Sequence, residues 1–306
     1  MKSAQIDRRA FLAGTAAMIT SGAAWSQGES MRTRLIPAGD EPLPVIGLGA
    51  PRVFWELPPE GPSLPNALID AMREQGGTLI DTPPFFQRGL PAIGGLLRDL
   101  GIQDELFLTG KITVSGKQAG IEHLERTESN LGKRPMDALM VHNLRDMANH
   151  WPTLKDWKAE GRARYIGVSS TGAGDGPVLE RFIRDERPDI IMIGYSIAHQ
   201  SPGDRILDVA ADSGTAVLIA QPFRARSEGN FFRVTAGHEL PAWAAEFDCE
   251  SWAQFALKFI LSHPAVTSIA TETSRVEHVI DNMGAGYGRL PDVAMRQRMS
   301  DYFASL

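Results

Sequence analysis

Asp81, Lys111 and His142 each stand at or near the end of a short apolar run: TLIDT at 78–82, LFLTGKI at 106–112 and ALMVHNL at 138–144. Each alone has an ordinary structural use. An aspartate before Thr-Pro is a common turn or cap residue, a lysine at a strand end is commonly solvated, and a histidine among apolar neighbours is commonly a hydrogen-bonded core residue. On neighbouring strands, however, an acid, a cation and an imidazole can converge on one point, where they could move a proton and hold developing charge. Ser169 and Ser170 close a fourth run, YIGVSS at 165–170, and Tyr195 lies near the end of a fifth, IIMIGYS at 190–196.

The elements that must position these residues follow a simple alternation. Further β-rich runs are VIGLG at 45–49, AVLIAQP at 216–222 and SIATET at 268–273, which makes eight in all. Each is nearly continuous in Ile, Val and Leu, as parallel strands buried on both faces are. Helical patterns lie between them, including NALIDAMREQG, IEHLERTESNLG, LKDWKAEG and SWAQFALKFILSH, with Gly76, Gly132 and Gly161 where C-caps belong. Eight such units predict one (β/α)8 TIM barrel, whose reactive side chains sit at the C-terminal strand ends. A doubly wound open sheet is the alternative. It usually carries a glycine-rich turn after its first strand, and GLGAPR is not GxGxxG. Leu35–Pro44 reads as a small hairpin closing the barrel floor, and Arg224–Trp243 as a long loop at the mouth.

Composition narrows the function classes. The 306 residues are 43% hydrophobic and carry a net charge of −6, an ordinary globular balance with no electrostatic footprint for nucleic acid. The single cysteine, Cys249, excludes an internal disulfide framework and a cysteine-based zinc cluster. No HxH, HExxH or GxSxG occurs, so a metal site and a hydrolase elbow lack support. Residues 1–26 differ from the rest: Arg8-Arg9 precede Phe11-Leu12 and a weakly apolar stretch, and Ala24-Trp25-Ser26 offers a peptidase site. This resembles a twin-arginine export signal, too short to span a bilayer, and predicts a periplasmic protein handled by the twin-arginine export machinery. A barrel of this size can stand alone, so a monomer is expected.

Over residues 33–305 the chain resembles the aldo-keto reductase family. The matching pieces are LPVIGLG, LIDT, FLTGKI, SNLGKRPMDALMVHNL, KAEGRARYIGVSS and PAVTSIATETSRVEHVIDN, in that order, and the resemblance is nearest to the subgroup with twin-arginine leaders. It implies hydride transfer between NADP or NAD and a small-molecule carbonyl or alcohol. Asp81 matches the family's aspartate, Lys111 the lysine that lowers the pKa of a catalytic tyrosine, and His142 the histidine that hydrogen-bonds the carbonyl oxygen.

The tyrosine itself is replaced. Five residues after Asp81 the chain has Phe86, followed by Gln87 where the family has glycine. The resemblance also implies cofactor contacts from Ser169 and Ser170, from Met192 in place of a glutamine, from Tyr195, and from Gln221 and Pro222 beside Ala220. Thr273, Ser274 and Arg275 match the region that grips the adenosine phosphate, and Asn282 the adenine contact. Glu272 is an odd neighbour for a 2′-phosphate, which Arg275 could offset, so NADP and NAD stay open. Phe54, Trp55, Phe85 and Phe86 point to an apolar substrate pocket. The altered positions also allow a second outcome, a barrel kept as a binding or structural module without catalysis.

Overall fold

The computed structural model describes residues 30–84, 89–171, 175–201, 203–225 and 229–306. The leader at 1–26 and the residues Phe85 and Phe86 lie outside them. The chain begins with a hairpin in which β1 (Thr33–Ile36) pairs antiparallel with β2 (Glu41–Pro44). Eight strands follow: β3 (Ile46–Gly49), β4 (Leu79–Asp81), β5 (Phe107–Ile112), β6 (Met136–His142), β7 (Ala163–Ser170), β8 (Ile190–Gly194), β9 (Ala216–Ala220) and β10 (Val266–Thr271). They pair in that order and β10 returns to β3, closing a parallel barrel. The runs expected from sequence are the observed strands with ends moved by a few residues.

Helices α1 (Ser63–Glu74), α2 (Leu90–Leu100), α3 (Lys117–Leu131), α4 (Met147–Ala159), α5 (Gly176–Glu186) and α6 (Gly203–Ser213) follow β4's predecessor and then each strand through β8. A four-residue helix, α7 (Phe231–Val234), lies in the long segment after β9, before α8 (Trp252–Leu261), and α9 (Val276–Gly284) and α10 (Val293–Ala304) complete the ring. Surface helices bury one apolar stripe, for example Leu68, Ile69 and Met72 of α1, whereas α8 is buried from Ala253 through Leu261. Gly132 ends α3 in the left-handed conformation, φ 67°, where a Cβ would be strained. Gly94 lets α2 approach α3, because a Cβ there would stand 1.7 Å from the Asn130 carbonyl oxygen.

The hairpin closes the floor. Ile36 and Leu43 are buried in one apolar cluster with Leu79, Phe107, Ile190 and Ala216, which are the first residues of β4, β5, β8 and β9. Burying such side chains contributes about 1.5–3 kcal/mol each. With the floor filled, the C-terminal strand ends form the open face.

Candidate active site

Side chains along a barrel strand alternate between the interior and the surrounding helices. The interior cluster includes Leu79, Phe107, Met140, Tyr165, Leu218 and Ala270. Continuing that alternation to the strand ends turns Asp81, Lys111, His142, Ser169, Ala220 and Glu272 toward the mouth. All six line one cleft of about 1300 Å³.

At its base Lys111 Nζ donates to Asp81 Oδ1 at 2.5 Å and to the Thr82 carbonyl oxygen at 2.6 Å. Register explains the pair: Asp81 sits opposite Thr109 on β5, and Lys111 is the next residue on the same face. The Thr109 hydroxyl donates to the same Asp81 oxygen, and Thr82 Oγ1 donates back to the Thr109 carbonyl oxygen at 2.6 Å. The lysine side chain is 3% exposed and the aspartate 13%, so water screens this pair little.

His142 faces the same space from β6. Its Nδ1 lies 2.9 Å from Ser169 Oγ on β7, the residue in register with it. Burial first, and then the Lys111 charge, push the imidazole pKa down to about 4, so it is neutral near pH 7. A Ser169 hydroxyl that donates to Nδ1 fixes the tautomer with its proton on Nε2. Cation, carboxylate and neutral imidazole therefore share one pocket floor, an arrangement suited to holding and protonating a developing oxyanion.

Of the expected cofactor contacts, Ser169, Met192, Gln221, Pro222, Thr273 and Ser274 line the cleft. Four others fall elsewhere. Ser170 and Tyr195 have the opposite strand parity and face the helices. Ser170 Oγ donates to Asp175 Oδ2 at 2.6 Å. Tyr195 is buried, its hydroxyl donates to Asp204 Oδ1 at 2.5 Å and accepts from Arg296, and a Cβ on Gly203 would lie 2.4 Å from its ring. Arg275 is held by Glu277, Nε to Oε1 at 2.7 Å, and Asn282 is buried in α9; neither lines the cleft. Phe54 is a core residue with no exposure, whereas Trp55 does line the mouth.

From sequence, Glu272 reads only as an odd neighbour for a 2′-phosphate, Arg224 and Phe232 only as part of a loop at the mouth, and Phe223 not at all; all four line the cleft. Glu272 carried a readable signal, since it continues the inward parity of Ser268 and Ala270. Its neighbour toward Asp81 is Gly49, and an added Cβ there would lie 3.8 Å from Glu272 Cβ. Burial, and then the Asp81 charge, hold the Glu272 carboxyl above its usual range. Phe223 and Phe232 pack together, ring centroids 4.9 Å apart, on the loop after β9 that was expected at the mouth.

Residues 45–298 match the aldo/keto reductase family. A search of curated proteins found no matching relative. Among solved structures, an aldo-keto reductase from Klebsiella pneumoniae in complex with NADPH superposes with a TM-score of 0.71 at 21% identity, covering 90% of this chain and 96% of that one. The holo form of an aldo-keto reductase from Bacillus halodurans gives 0.70 at 19% identity, covering 89% and 96%. A further Klebsiella pneumoniae aldo/keto reductase, with NADP and acetate, gives 0.68 at 20% identity, covering 86% and 93%.

Proposed function

The chain belongs to the aldo/keto reductase family, NAD(P)-dependent oxidoreductases, and on that premise we propose that it moves hydride between a nicotinamide dinucleotide and the carbonyl or alcohol carbon of a small apolar molecule. The observation that carries this is the buried Lys111–Asp81 pair facing the same cleft as the neutral His142. The cleft fits a dinucleotide: its roughly 1300 Å³ exceeds the range of most small-ligand pockets, and Arg224 brings a cation with no carboxylate partner among the described residues.

The bound nicotinamide supplies the hydride. The chain's residues manage charge and protons at the carbonyl oxygen. His142 donates a hydrogen bond to that oxygen, and because the imidazole is neutral it does so without needing acid pH. Lys111 lowers the energy of the oxyanion and is the source of its proton, directly or through one water, while Asp81 and the Thr82 carbonyl fix the ammonium in place. Trp55, Leu57 and Phe232 give the mouth apolar walls suited to an apolar substrate.

Phe86 stands where the family has its tyrosine and brings no hydroxyl. Loss of a positioned acid slows turnover by about 10²–10⁴. The second reading, a barrel retained for binding alone, is favoured by that residue together with Met192 and Ala220 on the cleft wall. We also propose export by the twin-arginine route, supported by the Arg8-Arg9-Ala10-Phe11-Leu12 motif, and a monomeric protein.

The test is oxidation of NADH and NADPH against a panel of aromatic and aliphatic aldehydes. Slow turnover that Lys111→Met abolishes and Phe86→Tyr raises supports the reductase. No turnover by either the wild type or Phe86→Tyr, with the dinucleotide bound, supports the binding module.

A further inference from the structure

Lys111 can give a proton to a substrate oxygen again and again only if that proton is replaced, and its surroundings make replacement difficult. Its side chain is 3% exposed, and it donates at 2.5 Å to Asp81, whose side chain is 13% exposed. A lysine that became neutral here would leave the Asp81 carboxylate without its counter-charge in a nearly dry site, which is costly. A second acid that refills the lysine as it gives up its proton removes that cost.

The strand ends place such an acid in the same row. Gly49 on β3 is in register with Asp81 on β4, and its neighbour Leu48 is in register with Thr271 on β10. One residue further along, Glu272 stands across Gly49 from Asp81. Gly49 puts no side chain into the position between them; an added Cβ would lie 3.8 Å from Glu272 Cβ. The Asp81 and Glu272 backbones are two strand spacings apart, about 10 Å. The gap over Gly49 belongs to the cleft that Gly49, Asp81, Lys111 and Glu272 all line. Glu272 is the exposed member of the row. The other titratable and charged groups lining this cleft, among the described residues, are His142, Arg224, and Arg52 with its partner Glu56. Burial, and then the Asp81 charge, keep the Glu272 carboxyl protonated at pH values where an open glutamate has ionised.

We propose that Glu272 relays protons from solvent to Lys111 across the open position above Gly49. As hydride reaches the carbonyl carbon, a Lys111 N–H bond breaks toward the forming oxyanion. The Glu272 O–H proton crosses bridging water to the lysine nitrogen. The step ends with an alcohol, a restored ammonium and a Glu272 carboxylate, which takes its next proton from solvent at the exposed strand end. The proposal rests on the reductase reading and deepens it by naming where the proton comes from.

The experiment is steady-state reduction of an aromatic aldehyde by NADH and by NADPH, across pH, with the wild type, Glu272→Gln and Glu272→Asp. Glu272→Gln lowers kcat at least about tenfold, toward the 10² that a positioned proton donor supplies, while the aldehyde KM, the dinucleotide Kd and the thermal unfolding midpoint stay close to the wild type. Glu272→Asp, which keeps a carboxyl that water can bridge, recovers most of the lost kcat. Wild-type kcat falls as pH rises through the Glu272 titration, and this fall is missing in Glu272→Gln. Added formate restores part of the turnover of Glu272→Gln by bringing in another carboxylic acid. Wild-type kcat in Glu272→Gln, or a loss that comes with an unchanged pH profile and no return in Glu272→Asp, overturns the relay while turnover that depends on Lys111 leaves the reductase reading standing. No turnover by the wild type removes both.

Discussion

Asp81→Asn removes the negative charge from a nearly dry ion pair and leaves the shape almost unchanged. Lys111 keeps the Thr82 carbonyl oxygen but loses the carboxylate that neutralises it, while its side chain stays 3% exposed. Stranding one member of a buried pair costs about 3–5 kcal/mol. For a chain of this size about 2 °C of Tm accompanies each kcal/mol, so thermal unfolding at pH 7 should move down by about 6–10 °C. Lys111→Met should be destabilising for the mirror reason. The double variant Asp81→Asn/Lys111→Met leaves no stranded charge and should be less destabilised than either single variant, so the coupling in the double-mutant cycle should exceed about 3 kcal/mol, the smallest cost of one single variant. Reductase activity should not recover with it, because the oxyanion-stabilising ammonium is gone. A shift of under about 1 kcal/mol in Asp81→Asn would refute the reasoning on burial. A stable double variant with wild-type turnover would refute the catalytic role.

Other consequences concern particular side chains. His142 has a pKa pushed down to about 4, below its ordinary 6.5, so its neutral form is favoured by folding. Its contribution to stability is complete above pH 6.5 and is lost as pH falls toward 4, which thermal unfolding across that window checks; the reduction rate should show no acid-side inflection at pH 6.5, and a rate that halves as pH falls through 6.5 would contradict this. Tyr195→Phe removes a hydrogen bond to Asp204 and should cost about 1.5–3 kcal/mol in denaturant unfolding without changing dinucleotide affinity, since the phenol faces α6. Lys258 has no exposure, and its ammonium donates to the carbonyl oxygens of Phe247, Tyr287 and Arg289 at 3.1, 2.7 and 3.0 Å. Lys258→Met leaves three carbonyls without that donor and should lower stability by about 3 kcal/mol, read as a reduced urea midpoint.

The barrel was legible because a parallel strand buried on both faces must be almost wholly apolar, and such runs alternated with amphipathic helices. The reactive set was legible for a related reason: Asp81, Lys111 and His142 are the polar residues that interrupt those runs at one end. Ser170 and Tyr195 were misplaced because proximity to a strand end was weighed and parity was not. A shift of one residue turns a side chain from the mouth to the helices, as Ser169 and Ser170 demonstrate. The same parity, applied to Ser268 and Ala270, marks Glu272. Arg224 had no comparable signal, because the segment after β9 has no period and its side chains reach the cleft by loop path alone. Arg275 was expected beside the cofactor, and its link to Glu277 depends on a local turn that spacing does not specify.

The account stands on hydride transfer in this cleft, and isotopic labelling tests that most directly. The full-length chain, incubated with reduced dinucleotide deuterated at the nicotinamide C4 and with an aromatic aldehyde, should yield an alcohol carrying one deuterium on its carbinol carbon. Lys111→Met should yield none above the uncatalysed background. Alcohol formed without deuterium, or no alcohol despite saturated dinucleotide binding, would contradict the proposed reaction.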